Sequence, residues 1–371
     1  MIYFDNAATS FPKPPSVYAE VNKCIRRYCG NPGRSGHRLS LFASEKIYES
    51  RELVSNFLSC YEPERVVFCQ NASYALNLAI KNLSGNINEV LISDIEHNSV
   101  LRVVDKLMRD GKIKYRIFPH DADEKALEDY FDTGGKLVVA NAVSNVNGCE
   151  NSLKSLSKLR QKLNFKLIID ASQMLGHKRF SFLETPCDVL CAPSHKALFG
   201  IQGSGFAVFY TDPLPGSFIE GGSGNDSKNR SMPELLPERF EAGTLPTPSI
   251  VSLAEGIKYI NEIGIDDIEE KLNFLTDMCV ERICSLKRIK FYGAKNGLVS
   301  FNIDSYPSNY TADILDKNGI YVRSGLHCAP LAHERFGTLE NGSVRISLSY
   351  LNTKKEIDCF YKLIKSTVST I

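Results

Sequence analysis

An aspartate and a lysine follow two apolar segments near the middle of the chain. Asp170 ends the segment LIID, and Lys196 stands after His195 in APSHKALFG. Taken singly, an aspartate at a strand end is often a helix cap, and a loop lysine is usually only solvated. Together they suit pyridoxal phosphate, because the carboxylate keeps the pyridine nitrogen protonated and the amine forms a Schiff base and moves protons. The pair therefore indicates this cofactor.

Polar residues follow three other apolar segments at corresponding points. Asn71, Ala72 and Ser73 come after VVFC and open a helical pattern. Their backbone amides and hydroxyl could hold a phosphate, although a plain helix cap is the alternative. His97 follows VLIS, where it could stack on a flat ring or be a hydrogen-bonded structural histidine. Asn145 follows LVVA. Four strand ends that deliver polar groups to one place indicate a cofactor site more strongly than any one of them.

A cysteine and an arginine near the carboxyl end could complete the chemistry. Cys328 lies in RSGLHCAP, and neighbouring His327 and Arg323 would favour the reactive thiolate. On composition alone, Cys328 is one more buried cysteine among eleven. Arg345 lies in VRISLSY, where its planar fork suits a substrate carboxylate, and a strand-edge ion pair is the alternative.

The elements that must position these residues alternate between strand and helix. Alternation of this kind predicts an α/β fold with a mostly parallel sheet between helices and with ligands beyond the carboxyl ends of its strands. The predicted strands are 66–69, 90–93, 137–140, 167–170 and 188–191. The predicted helices between them are 73–83, 98–108, 124–131 and 153–163.

A second, smaller α+β domain is expected at the carboxyl end. There we predict strands at 298–303, 320–323 and 344–348, a helix at 310–318 and a final helix, after a long helical region at about 249–286. The predicted boundaries assign 15–250 to the large domain and 1–14 with 251–371 to the small domain that carries Cys328. A helix opened by Pro14 and Pro15 should bury Val17, Val21, Ile25 and Tyr28.

Composition excludes several classes of protein. A net charge of +1 argues against nucleic acid or an anionic membrane as the main partner. No apolar run approaches a membrane span, and the segment MIYFDNAATS has no secretory signal pattern, so we expect a cytoplasmic protein. Eleven cysteines without a CxxC pair predict reduced thiols and no metal site. The glycines of GIQGSG precede a strand, which excludes a dinucleotide fingerprint.

The order and spacing of ten motifs resemble the cysteine desulfurase and selenocysteine lyase branch of the class V aminotransferases, which have the fold type I of pyridoxal phosphate enzymes. The resemblance covers nearly the whole chain. The motifs are YFDNAATS at 3–10, NPGRSGHRLS at 31–40, NASYALN at 71–77, EHNSV at 96–100, SNVNG at 144–148, DASQ at 170–173, SHK at 194–196, RFEAGT at 239–244, RSGLHCAP at 323–330 and VRISLSYLNT at 344–353.

The resemblance implies roles for individual residues. Lys196 would form the Schiff base and Cys328 would accept sulfur, with Lys196, Cys328 and His97 as the catalytic set. Asn145 would also contact the substrate, and Arg345 would bind its carboxylate, with Arg323 and His37 as weaker candidates for the same pocket. The implied cofactor-binding residues are Ala72, Ser73, His97, Asn145, Asp170, Gln173, Ser194, His195, Lys196 and Thr244.

The resemblance also implies partners. Thr244 would reach the phosphate of a second subunit, so a homodimer is expected. Only 17 positions separate Cys328 from Arg345 (345 − 328), and enzymes with a short loop of this kind often depend on a separate sulfur-acceptor protein. The sequence does not say whether the sulfur serves iron–sulfur clusters, thiolated tRNA or another cofactor.

Some departures and alternatives stay open. Pro193 and Ser194 stand where the family usually has a hydroxyl residue and glycine, so their effect on phosphate binding is undetermined. A selenocysteine lyase would use the same residues. A class V aminotransferase would not need Cys328, and a non-catalytic sulfur-transfer or scaffold protein would not need Lys196.

Overall fold

The structure is a computed structural model that describes residues 1–33, 35–131, 136–224, 228–304 and 306–369. Arg34, in the motif NPGRSGHRLS, lies outside the described residues. The strands are β1 (Ile2–Tyr3), β2 (Val66–Cys69), β3 (Glu89–Ser93), β4 (Lys114–Phe118), β5 (Leu137–Asn141), β6 (Lys166–Asp170), β7 (Val189–Pro193), β8 (Gly205–Phe209), β9 (Ile289–Lys295), β10 (Leu298–Ile303), β11 (Ile320–Tyr321), β12 (Arg323–Gly325) and β13 (Ser343–Ser347).

Helices surround these strands, and a 3-10 turn precedes β2 at Pro63–Arg65. The helices are α1 (Pro15–Arg27), α2 (Arg38–Phe57), α3 (Ala72–Leu83), α4 (Asn98–Arg109), α5 (Glu124–Phe131), α6 (Leu153–Leu163), α7 (Thr247–Ile263), α8 (Ile265–Cys284), α9 (Ser308–Lys317), α10 (Pro330–Arg335) and α11 (Lys354–Ser369). No helix within the described ranges is both long enough and apolar enough to span a bilayer.

The central sheet has seven strands in the order β2-β8-β7-β6-β5-β3-β4. All neighbouring pairs are parallel except the two that involve β8, which is antiparallel to β2 and β7. The strands β5, β7 and β8 are buried along their whole length because helices cover both faces of the sheet. The predicted α/β fold with a mostly parallel sheet is confirmed, and the sheet has seven strands.

Two smaller sheets lie at the carboxyl end of the chain. β12-β13-β10-β9 form an antiparallel sheet, and β1 pairs in parallel with β11. Their core, with Phe301 and Phe360 at its centre, is separate from the two cores that flank the central sheet. An additional α+β layer is therefore present, and the boundaries predicted at residues 14 and 250 stay predictions.

The helical region predicted at about 249–286 consists of two helices, α7 and α8, because the chain turns at Gly264, whose φ of 96° suits glycine. The predicted inner face of α1 was wrong at Ile25, which is 60% exposed, whereas Cys24 is fully buried against α7. Val17 and Tyr28 are buried as predicted. The inner face of α1 therefore includes Cys24 in place of Ile25.

Candidate active site

A cavity of about 220 Å³ lies at the carboxyl ends of β2, β3, β5, β6 and β7. Most of the residues singled out in the sequence meet there, although they are far apart along the chain. The lining residues are Ala7, Ala8, Asn71, Ala72, Ser73, His97, Ser99, Asn141, Asn145, Asp170, Ser172, Gln173, Pro193, His195, Lys196, Arg323 and Arg345.

The amino end of α3 forms one wall of the cavity. Asn71 caps the helix by accepting a hydrogen bond from the Tyr74 amide at 3.0 Å, and this leaves the amides of Ala72 and Ser73 at the open end. A Cβ atom at Gly205 would lie 2.7 Å from the Asn71 carbonyl carbon, so glycine is what lets the helix end approach the sheet. The wall combines free amides with the positive end of the helix dipole, which suits a phosphate.

His97 lies at the amino end of α4 and is held by a local network. Its Nδ1 accepts a hydrogen bond from the Ser99 amide at 3.0 Å and lies 2.9 Å from Ser99 Oγ. Ser99 Oγ is in turn 2.5 Å from Ser73 Oγ. Burial, together with the nearby charge of Lys196, lowers the pKa of His97 to about 4. The ring is therefore neutral at physiological pH, and its proton is on Nε2.

Lys196 and Asp170 both line the cavity, and each affects the pKa of the other. Burial lowers the pKa of the Lys196 amine to about 8, and Arg345 and Arg323 act in the same direction, whereas Asp170 opposes them. Burial also raises the pKa of the Asp170 carboxyl, although Oδ1 accepts a hydrogen bond from the Ser172 amide at 2.9 Å. A fraction of the Lys196 amine is therefore neutral near pH 7–8, which is the nucleophilic form.

Arg345 is fully buried on β13 and is held in one orientation. Its Nη2 lies 2.7 Å from Asp5 Oδ1, and its Nη1 donates to the Asn145 carbonyl at 2.8 Å. Arg323 is its direct cross-strand neighbour on β12. Burial lowers the pKa of Arg345 to about 10, and Asp5 opposes this effect. Two guanidinium groups and one carboxylate leave this side of the cavity with a net positive charge, which suits an anionic substrate group.

Several buried polar atoms at the cavity have no hydrogen-bond partner among the described residues. They are Asn141 Oδ1, Asn145 Oδ1, His195 Nδ1 and Arg345 Nε. A buried polar group without a partner costs free energy, so such groups are usually satisfied by a ligand or water. Their convergence indicates that the cavity is shaped for a polar molecule.

Cys328 is outside the cavity lining but is connected to it. The side chain is exposed, and its Sγ lies 3.6 Å from Nη2 of Arg323, which does line the cavity. The backbone at His327 and Cys328 has φ values of 50° and 57°, a region that non-glycine residues rarely occupy. The thiol is therefore presented at the cavity mouth on a strained turn.

Besides Cys328, three predicted site residues do not line the cavity of this single chain. The hydroxyl of Ser194 is fully buried and pairs with Ser204 Oγ at 2.7 Å, so the structure does not bring it to the phosphate position. His37 is exposed and caps α2 by accepting from the Ser40 amide. Thr244 is exposed on the long segment between β8 and α7. The roles of His37 and Thr244 stay predictions.

The remaining predicted residues line the cavity, as do others that the sequence did not reveal. Gln173 donates from Nε2 to the Ala7 carbonyl at 3.0 Å, which joins the first residues of the chain to the site. Asp5, Ser99 and Asn141 were missed. Ser99 lies inside the motif EHNSV and Asp5 inside YFDNAATS, so motif membership was the available signal.

Comparisons with known proteins agree with this geometry. The family described as aminotransferase class-V matches residues 2–360. A protein of Pyrococcus abyssi named probable cysteine desulfurase is 32% identical over 100% of this chain and 95% of its own length. A protein of Methanothermobacter thermautotrophicus with the same name is 32% identical over 96% of this chain and 92% of its own length.

A solved structure is also similar over the whole chain. The cysteine desulfurase of Thermococcus onnurineus NA1 has a TM-score of 0.91 and 30% identity, covering 100% of this chain and 95% of that one. The chain belongs to the aminotransferase class-V family, among relatives that are named cysteine desulfurases.

Proposed function

We propose that the protein is a pyridoxal-phosphate-dependent cysteine desulfurase that converts L-cysteine to L-alanine and takes up the sulfur on Cys328. The observation that carries the proposal is the single cavity that joins Lys196, Asp170 and Arg345 and that reaches Cys328 through Arg323. The names of the full-length relatives support the same activity. An aminotransferase would have no use for the exposed thiol at the cavity mouth.

The donor set of the cavity fits pyridoxal phosphate. The amino end of α3, with Ser73, would hold the phosphate, and the partly neutral Lys196 amine would bind the aldehyde carbon. Asp170 would hold the ring nitrogen, and His97, neutral and locked by Ser99, would lie against the ring. When bound, the cofactor supplies an electron sink for bond changes at the α and β carbons of an amino acid.

The residues around the cavity would bind and orient the substrate. The guanidinium of Arg345, fixed by Asp5, would hold the substrate carboxylate, and Arg323 would add a second positive charge. The free Oδ1 of Asn145 would accept a hydrogen bond. The Lys196 amine would take the α-proton, because its lowered pKa lies close to physiological pH.

Sulfur transfer would then occur at Cys328 without an external oxidant. Its Sγ forms a bond with the substrate sulfur while the bond between that sulfur and the β carbon breaks. The electron pair stays on the carbon, which gains the proton given up by the Cys328 thiol, so carbon is reduced and sulfur is oxidised. The products are L-alanine and a persulfide on Cys328.

Assembly and location extend the proposal. We infer a homodimer, because exposed apolar side chains cluster on α1 and α2, where Tyr18, Ile25, Leu41 and Phe42 are all at least 38% exposed. Thr244 would then reach the cavity of the second copy. We further infer that the protein is cytoplasmic. It would pass the sulfur to a separate acceptor protein, because the persulfide would form on the exposed Cys328.

The test compares wild type with Cys328→Ser on L-cysteine in the presence of a reductant. Equimolar alanine and sulfide from wild type alone would establish the activity and the role of Cys328. Full activity of Cys328→Ser would refute the sulfur-transfer step. If neither protein turns over L-cysteine while the cofactor absorbance is visible, selenocysteine and then amino-group transfer become the reactions to measure. Lys196→Ala should lose both the absorbance and the turnover.

A further inference from the structure

A buried pair of histidines lies directly behind Cys328. His327 is 2% exposed and His333 is fully buried. His327 Nδ1 is 3.1 Å from His333 Nε2, and His333 Nδ1 is 2.7 Å from Thr338 Oγ1. The two rings are nearly parallel, with an angle of 17° and centroids 5.3 Å apart. A hydrogen-bonded chain therefore runs from Thr338 through α10 to the residue before Cys328.

These hydrogen bonds lie directly behind a strained segment of backbone, residues His327 and Cys328. His327 and Cys328 are consecutive non-glycine residues with positive φ, and such a conformation persists only where the surroundings enforce it. Two bonds hold its carbonyl groups: Asn145 Nδ2 donates to the His327 carbonyl and the Asn98 amide donates to the Cys328 carbonyl, both at 2.7 Å. The pairing with His333 is what fixes the imidazole of His327.

Both rings are neutral at physiological pH. Burial lowers the pKa of His327 to about 2, with Arg345 adding to the effect, and burial lowers the pKa of His333 to about 4. A neutral imidazole carries one N–H, so one nitrogen of the facing pair donates and the other accepts. Thr338 can either donate to or accept from His333. Both hydrogen bonds can therefore form whichever of the two facing nitrogens carries the proton.

We propose that His333, held by Thr338, is a positioning residue that keeps the Cys328 thiol in the conformation required for sulfur transfer; this inference rests on the proposed desulfurase function. A displacement of about 1 Å between reacting atoms can lower a rate about a hundredfold. His333 does not line the cavity, and its hydrogen bond to His327 is what connects it to Cys328.

The experiment removes the hydrogen bonds of His333 and Thr338 without changing a residue that lines the cavity. His333→Leu removes both ring nitrogens, Thr338→Val removes only the hydroxyl, and His333→Gln retains a polar group near the Nε2 position. The matched control is Thr311→Val, because Thr311 is also buried in the small layer but its Oγ1 has no partner among the described residues. Each variant is measured with the cofactor bound.

Two readouts are compared for every protein. The first is amide hydrogen exchange of residues 324–332 without substrate, and the second is kcat and KM for L-cysteine. We expect His333→Leu to exchange about tenfold faster and to lose about tenfold in kcat, which is the size expected from loss of the one hydrogen bond that reaches His327. KM should stay within about twofold because Arg345 is unchanged. His333→Gln should recover part of the loss, and Thr311→Val should match wild type.

Several results would overturn the inference. Turnover of His333→Leu equal to that of wild type would do so, and so would a fall in kcat without faster exchange of 324–332. If His333→Leu fails to fold, the same two measurements on Thr338→Val test the inference, because this variant loses only one hydroxyl. A Thr338→Val protein with the exchange and kcat of wild type would then overturn it. Absence of alanine from wild type would overturn the proposed function itself, and the positioning role with it.

Discussion

Replacing Lys196 by methionine should stabilise the cofactor-free protein at neutral pH even though it abolishes turnover. The Lys196 side chain is half-buried at the cavity, and burial together with the nearby Arg345 and Arg323 disfavours its charge. Methionine has a similar length and no charge, so it removes the unfavourable cation with little change in volume. The residue that the chemistry requires is therefore expected to be a cost to the fold.

The size of the effect follows from the pKa of Lys196, which folding lowers from 10.5 to about 8. The folded state binds fewer protons than the unfolded state between these values, so the stability of wild type rises with pH through this window. Below pH 8 the full cost applies, roughly 3 kcal/mol, and at pH 9 about 2 kcal/mol remains. Water in the open cavity screens part of the charge, so these values are upper limits.

Urea unfolding of both proteins from pH 7 to pH 11, after removal of the cofactor, measures the difference. Lys196→Met should be more stable at pH 7, and the two curves should converge above pH 10.5. Lys154→Met, at an exposed position on α6, is the matched control and should differ from wild type by less than about 0.5 kcal/mol at every pH. Parallel curves for Lys196→Met and wild type, or a variant that is less stable at pH 7, would refute the reasoning.

Three other predictions follow from contacts around the cavity. Gly205→Ala should displace the amino end of α3, which costs about 1–3 kcal/mol of stability, and should weaken cofactor binding about tenfold. An unchanged cofactor titration would contradict this prediction. Asp5→Asn leaves the buried guanidinium of Arg345 without its carboxylate and should lower the free energy of unfolding in urea by up to about 3 kcal/mol. An unchanged unfolding midpoint would contradict a stabilising ion pair between Asp5 and Arg345. In histidine NMR, His97 should stay neutral from pH 5.5 to pH 8, because burial lowers its pKa to about 4. His120 should stay charged over the same range: burial lowers its pKa, but the contacts with Asp94 and Cys149 together outweigh burial and raise the pKa to about 10. A titration of either ring within this range would contradict the assignment.

Most of the fold could be predicted because its signals are local. The buried strands of the central sheet read as short apolar runs, and the amphipathic helices between them carry apolar residues at three- and four-residue spacing. The errors occurred where the local signal is weak. Cys24 and Ile25 are apolar neighbours on α1, so the pattern did not show which of them is buried, and β4 was missed because most of its residues are exposed at the edge of the sheet.

The candidate site could be predicted in part. Residues at the carboxyl ends of parallel strands converge for a topological reason, so Asp170, Asn145 and His97 were brought together as expected. The direction of a side chain in a loop has no such rule. Ser194 is adjacent to His195 in sequence, yet its hydroxyl pairs with Ser204 inside the protein.

The sequence by itself determined the class of chemistry, because the motif residues and the alternation of strand and helix are properties of the chain. Only the tertiary structure decided how the charges are balanced. Asp5 and Arg345 are separated by 340 positions (345 − 5) and pair only because β13 lies beside the amino-terminal segment. The two histidines behind Cys328 are likewise paired only because folding buries both rings away from water, where hydrogen bonds between them persist since water cannot replace them.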